Sequence, residues 1–232
     1  MERKKKNVVL GVVISVAVVL FIVFGTLACL GVFRGFNAQG YVSAILDQTF
    51  KGDVEYAAEI MEGATEETLY AQYEAGIESF TKKTILQGAE LDEELEEQYT
   101  NLCKKIFDKM KYSVQEAEKV SDNEFHVPVT YQPSNVLQLF VASAAGEIER
   151  IKEKNDRIEY RGTLDEIEAK MNEEYLTNCC TLLEEACDNM EYGKEQTVVI
   201  KVIKGEDGLY KLEESAITQF LVKILSLDAK QD

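Results

Sequence analysis

Residues 125–131, Phe125-His126-Val127-Pro128-Val129-Thr130-Tyr131, decide the fold class of this 232-residue chain. Every second side chain is apolar, and polar residues or proline stand between them. This period of two predicts a β-strand with one face in a core and His126 on the outward face. Pro128 has no N–H to donate to a neighbouring strand, so we expect an edge strand, or a strand with this position on its free side.

On the N-terminal side of this strand, the apolar residues recur with the period of a helix. Four helices are predicted: one begins at Ala38 and ends at Lys51-Gly52, one is capped by Asp53, one runs from Thr65 to Lys82 and Lys83, and one runs from Asp92 to Met110. Tyr112 and Val114 then begin a first strand, and the turn at 121–123 connects it to residues 125–131.

On the C-terminal side, two long helices precede a second hairpin. Ser134 is expected to cap a helix over about 135–154, and Thr163-Leu164-Asp165-Glu166 fits a capping box that opens a helix to about 190. A strand over 197–204 turns at 205–208 into residues 209–212, and a last helix follows over 215–227. The pattern predicts an α+β domain: one antiparallel sheet of about four strands with helices on one face.

The N-terminus predicts a membrane anchor. Residues 7–33 contain no charged side chain, and 27 residues in a helix span about 40 Å, more than the roughly 30 Å hydrocarbon core. Four cations precede this segment, whereas only Arg34 follows it directly. The positive-inside rule therefore predicts a cytoplasmic tail at 1–6, a transmembrane signal anchor at 7–33 and an extracytoplasmic domain at 34–232.

Cys29 offers an alternative form of attachment. It follows Ala28 near the end of the apolar segment, where a lipoprotein signal carries its lipidated cysteine. Thr26 stands where such signals usually have leucine, and residues 30–33 stay apolar where a polar tether is usual. We therefore expect a retained helix, with lipidation at Cys29 as the alternative.

Charge excludes one class of partner. Residues 34–232 carry 41 Asp and Glu against 21 Lys and Arg, a net charge of −20. Such a surface repels nucleic acid and anionic lipid headgroups. We expect neither a nucleic-acid-binding protein nor a reader of anionic membranes.

The reactive residue types predict no catalytic residues, no cofactor-binding residues and no metal site. His126 is the single histidine, and the serines near it form no nucleophile elbow. Calcium and phosphate-binding loops are absent from the sequence, and the Gly205–Gly208 segment fits a hairpin turn. The many carboxylates are typical of solvated helix faces.

The cysteines after the anchor are expected to be structural. Cys180 and Cys187 share the packing face of the helix over 163–190, but two helical turns separate them, too far for a disulfide between them. Cys103 could form a bridge with Cys179, Cys180 or Cys187, because an exterior compartment permits oxidation. The sequence does not fix this pairing.

Tyrosine is a further candidate for binding. Tyr56, Tyr70, Tyr73 and Tyr99 could line a ligand pocket, although core packing is the usual role of aromatic residues at helical spacing.

Three segments carry a resemblance to a known family: residues 36–61 (FNAQGYVSAILDQTFKGDVEYAAEIM), 111–133 (KYSVQEAEKVSDNEFHVPVTYQP) and 197–214 (TVVIKVIKGEDGLYKLEE). With the preceding anchor, they resemble uncharacterised membrane-anchored proteins and lipoproteins of Gram-positive bacteria with a nuclear-transport-factor-two-like, or cystatin-like, α+β ectodomain. The resemblance implies a curved antiparallel sheet wrapped by helices, and no catalytic residues. The long helices over 135–190 depart from that compact fold.

We therefore expect a single-pass protein, not an enzyme, whose outer domain binds a small-molecule ligand or a protein partner. Two alternatives are a cell-envelope hydrolase with an unrecognised carboxylate or tyrosine site, and an accessory subunit of a membrane complex.

Overall fold

The computed structural model describes residues 36–61, 63–213 and 215–227. The fold is α+β, as expected. Its elements, in chain order, are α1 (Ala38–Lys51), α2 (Glu55–Ile60), α3 (Glu66–Phe80) with a π-helical turn (Thr81–Ile85), α4 (Glu93–Asp108), β1 (Lys111–Val114), β2 (Glu118–Ser121), β3 (Glu124–Gln132), α5 (Val136–Asp156), α6 (Leu164–Asp188), β4 (Gln196–Lys204), β5 (Tyr210–Leu212) and α7 (Ala216–Ile224).

All strand pairs in the described part of the sheet are antiparallel, in the order β1-β3-β4-β5. β1 and β2 pair with the same edge of β3: β1 lies along its C-terminal half and β2 along its N-terminal end. Together they occupy the place of one interrupted strand. The sheet is therefore four strands wide, which confirms the prediction.

The expectation that residues 125–131 form an edge strand is wrong, because β3 lies between β1–β2 and β4. The alternative placement of Pro128 is confirmed. Its carbonyl accepts a hydrogen bond from the Gln115 backbone N–H at 2.8 Å, and it stands opposite Val199 of β4 without bonding to it. Since the N and O of one residue in an antiparallel strand face the same side, the Pro128 nitrogen faces the break between β1 and β2. An interior strand can therefore hold a proline here.

One face of the sheet lies in the core. Val127, Val129 and Tyr131 of β3 are buried, as are Ile200 and Val202 of β4. They join side chains of α1, α3, α4 and α7 in one apolar cluster. The opposite face is partly exposed and carries His126, which contacts Glu124 Oε1 at 2.8 Å. This placement agrees with a surface histidine.

Helix ends follow most of the predicted caps. Thr65, Asp92 and Thr163 each accept a hydrogen bond from a backbone N–H in the first turn of the helix that follows. The prediction for Asp53 is wrong: Val54 is the N-cap of α2, and no side-chain bond caps this six-residue helix. Ser134 Oγ accepts from Val136 N at 3.2 Å, although the N-cap position of α5 is Asn135.

The predicted tail at 1–6, anchor at 7–33 and lipidation residue Cys29 lie outside the described residues. Among the residues that are described, no helix is both long and apolar enough to cross a membrane. The ring of Phe36 stacks on Tyr210 of β5 with 3.8 Å between ring centroids. Phe36 also contacts Phe125 and Tyr41, so aromatic contacts hold the start of the domain against the sheet.

The four described cysteines are free thiols, and all of them are buried. The bridge considered for Cys103 is therefore not formed. Burial raises the pKa of Cys103 to about 12 and that of Cys179 to about 11. Because the thiolate is the reactive form, these side chains act as small apolar residues of the core.

Cys187 is fully buried, and this predicts a stability effect. Cys187→Ser places a hydroxyl in the apolar α4–α6 interface and should lower the free energy of unfolding by about 1–3 kcal/mol. Urea unfolding measures it, with Cys187→Ala as the apolar control, which should lose less. Reductant should leave the melting temperature of the unmodified protein unchanged; a drop would show that a disulfide exists.

Candidate functional site: the α5–α6 hairpin

Helices α5 and α6 form a hairpin that extends away from the sheet. α5 has 21 residues and α6 has 25, which correspond to about 31 and 37 Å at roughly 1.5 Å per residue. The C-terminal part of α6 packs on α4: Tyr99 Oη donates to the Leu176 carbonyl at 2.7 Å, and Lys105 pairs with Asp188. By contrast, none of residues 161–174 is buried, and Ile151 and Tyr160 are the buried side chains of residues 148–173. The distal half of the hairpin is therefore supported mainly by contacts between its own two helices.

A buried carboxylate connects the two helices midway along the hairpin. Glu147 of α5 is only 9% exposed. Arg150 donates to both of its oxygens, from Nε at 2.7 Å and from Nη2 at 2.6 Å. Asn178 of α6 donates to Oε1 at 2.8 Å. The charge of Glu147 is thus compensated, as a buried carboxylate requires.

A second carboxylate, on α6, extends this network toward the tip. Glu174 Oε1 accepts from Arg150 Nη2 at 2.6 Å and from Lys154 Nζ at 2.7 Å. Its other oxygen accepts from Tyr160 Oη at 2.7 Å. Arg150 therefore bridges two carboxylates on two helices. We call Glu147, Arg150, Lys154, Glu174 and Asn178 the brace of the hairpin.

Both carboxylates of the brace are ionised at neutral pH. The hydrogen bonds from Arg150 and Asn178 keep the pKa of Glu147 below its usual value despite burial. Those from Lys154, Arg150 and Tyr160 lower the pKa of Glu174 to about 2. A pair that performs acid–base catalysis needs one carboxyl group whose pKa is raised. This pair has none.

An open cleft of about 430 Å³ lies beside the brace, lined by Glu147, Arg150, Glu174, Asn178, Thr181 and Leu182. Its carboxylates already hold cationic partners. Across the described residues, no cluster of three or more His, Cys, Asp or Glu side chains could hold a metal ion. The contacts of these side chains explain how the two helices are held together.

The distal turn of the hairpin has an unusual conformation. Ile158 has φ +60°, in the left-handed region that a β-branched residue rarely adopts. Its N–H bonds to the Asn155 carbonyl at 2.9 Å, and the Glu159 N–H bonds to Lys154 O at 3.1 Å. This is a Schellman motif with isoleucine at the position that glycine usually occupies. The Ile158 side chain is 73% exposed, and Leu164, the first residue of α6, is 79% exposed.

The tyrosines considered for a ligand pocket come together only in part: the rings of Tyr70 and Tyr73 are in contact, with 5.7 Å between their centroids. Tyr73 and Tyr99 are buried in the core, whereas Tyr56 and Tyr70 are exposed. The brace was not predicted from the sequence. Its only local signal is the spacing of Glu147, Arg150 and Lys154 along one face of α5; the partners on α6 become apparent only when the hairpin closes.

Comparison with known proteins gives a likeness of fold. No protein-family model and no curated protein matches the chain. A crystal structure from Bacillus subtilis, described as a putative lipoprotein (YcdA), matches with a TM-score of 0.52 and 16% identity, over 82% of this chain and 56% of that one. The chain thus spans little more than half the length of that neighbour. The likeness is consistent with the expected resemblance to Gram-positive lipoproteins; the nuclear-transport-factor-two-like assignment stays a prediction.

The stability that the brace contributes should depend on pH through the ionisation of Glu174. Its pKa is lower in the folded protein than the usual 4.5, so its stabilisation is fully present above pH 4.5 and is lost as the pH falls toward 2. Glu174→Gln should cost about 1–2 kcal/mol of unfolding free energy at pH 7. Urea unfolding of both proteins should show this difference shrinking between pH 4.5 and 2.

Glu149→Gln is the matched control, because Glu149 lies on α5 and its salt bridge with Lys152 is exposed. It should change stability little at any pH. Equal effects of the two substitutions would contradict a special role for Glu174.

Proposed function

We propose that this chain is a non-catalytic, extracytoplasmic interaction domain, anchored by residues 7–33, that binds a protein partner through the α5–α6 hairpin. The observation that carries the proposal is the long hairpin itself, whose charged brace holds together a distal half that the body of the domain does not support. A braced projection of this kind is already ordered for binding, which lowers the entropic cost of forming a complex.

The sequence supports the location. The uncharged segment 7–33 follows four cations, so the positive-inside rule places residues 34–232 outside the cytoplasm. The lipoprotein neighbour is consistent with attachment to a membrane. A retained helix and a lipidated Cys29 would both hold the domain at the outer surface. Helices α1–α4 precede the antiparallel sheet, and this order of elements supports the cystatin-like fold expected from the resemblance.

The hydrolase alternative is less well supported. The two carboxylates that converge in the cleft, Glu147 and Glu174, are both bound to Arg150 and both have lowered pKa values. Neither is suited to donate a proton at neutral pH. The role of accessory subunit in a membrane complex is a particular form of the proposed function.

Protease shaving of intact cells tests the location. The domain should be removed from the outside, with cleavage at its exposed loops, while a cytoplasmic control protein stays intact. Survival of residues 34–232 in intact cells, together with cleavage in lysed cells, would contradict the proposed orientation. Mass spectrometry of the mature N-terminus distinguishes a retained anchor from a chain that begins at a diacylated Cys29.

Native electrophoresis of solubilised membranes tests the interaction. The full chain should migrate in an assembly larger than itself. Replacing the distal turn, residues 155–172, with a short linker should release the protein from the assembly without unfolding the body, because the brace and the α4–α6 contacts at Tyr99 and Lys105 remain. Migration of the intact protein as a free monomer under mild solubilisation would contradict the proposal.

A further inference from the structure

The turn at the distal end of the hairpin combines two features that folding alone does not favour. Isoleucine at position 158 holds a left-handed backbone that glycine or asparagine would adopt more easily. Its side chain gains little from burial, since it is 73% exposed. Residues held in sparsely populated backbone conformations cluster at binding sites.

Leu164 adds a second exposed apolar side chain to the same turn. It occupies the first position of α6, directly after the Thr163 cap, and is 79% exposed. These two side chains are the most exposed large apolar residues in the described part of the chain. Apolar residues at the end of a braced projection fit a pocket on another molecule.

The charge of the hairpin around this turn indicates what kind of molecule would bind it. Around the turn, the four carboxylates outnumber the two guanidinium groups, and one carboxylate, that of Glu159, pairs with Arg157 at 3.0 Å; the excess comes from Asp156, Asp165 and Glu166 against Arg161. Such a surface is repelled by an anionic bilayer and by a second copy of this acidic chain. It is attracted to a protein surface of the opposite sign.

We propose that Ile158 and Leu164 are the anchor residues of the hairpin, and that they insert into an apolar pocket with a basic rim on a protein partner. This inference rests on the proposed function and adds the contact residues and the chemistry of the partner. It explains why an isoleucine stands at a position that favours glycine. The conformational free energy that the left-handed backbone costs in the free protein is offset when the side chain is buried in the complex.

Site-specific photo-crosslinking in native membranes tests the inference. A photoreactive benzoylphenylalanine is introduced into the full chain at position 158 or 164, and at two control positions of intermediate exposure on the body, Tyr70 (48%) and Val199 (49%). Positions 158 and 164 should both crosslink to one region of one protein, identified by mass spectrometry of the crosslinked peptides. The control positions should not reach that region.

The identified protein is then purified, and its affinity for the full chain is measured. Ile158→Asn and Ile158→Gly fit the left-handed backbone but remove the apolar side chain. Both should raise Kd at least about tenfold while the melting temperature stays equal or rises. Val199→Ala should leave Kd unchanged, and added salt should weaken binding by the unmodified chain.

Each other outcome has a clear meaning. Crosslinks from 158 and 164 to lipid only, or to a second copy of the chain, would overturn this inference, as would unchanged affinity of the two Ile158 variants. Crosslinks to a protein from position 70 or 199 alone would show that neither the distal turn nor the hairpin contacts the partner. The chain would then be an interaction domain that binds through the rest of the domain. No protein crosslink from any position would contradict the interaction itself.

Discussion

The antiparallel pairing of β3 with β4 constrains the rest of the structure. Tyr131 stands opposite Gln196, so the 64 residues between these two positions must leave the sheet and return to it at the same end. Two antiparallel helices of similar length satisfy this requirement with a single turn. Once α6 has returned along α4, the other end of the hairpin packs on no further helix or strand among the residues that the structure describes. The projection is therefore a consequence of the strand order.

The inside of the hairpin shows how such a projection is held in register. An apolar seam alone would tolerate sliding of one helix along the other, because contacts between aliphatic side chains are not directional. The Arg150 guanidinium has a fixed geometry and reaches Glu147 and Glu174 together, so it specifies one alignment of α5 and α6. Because the Arg150 side chain is 43% exposed, solvent partly screens this ion-pair network, and its contribution to stability is modest. We infer that its main contribution here is this specific alignment.

Local patterns predicted most of the elements, because the alternation in β3 and the caps at Thr65, Asp92 and Thr163 depend on neighbouring residues only. The interior position of β3 was not predictable, since it depends on a break between β1 and β2 that places the Pro128 nitrogen away from β4. The contacts of the brace between α5 and α6 join residues at least 20 positions apart, such as Arg150 with Glu174. The conformation of Ile158 was missed because isoleucine is a poor indicator of a left-handed turn.

The function proposed for the α5–α6 hairpin requires it to be ordered before any partner binds. Amide hydrogen exchange of the purified full chain, followed by mass spectrometry, measures this directly. We expect protected amides through α5 as far as Lys154 and through α6 from Met171. The Glu174→Gln variant should exchange faster in these segments and at an unchanged rate in β3 and β4. Exchange of residues 148–173 at the rate of an unfolded chain, in the otherwise protected protein, would contradict this expectation.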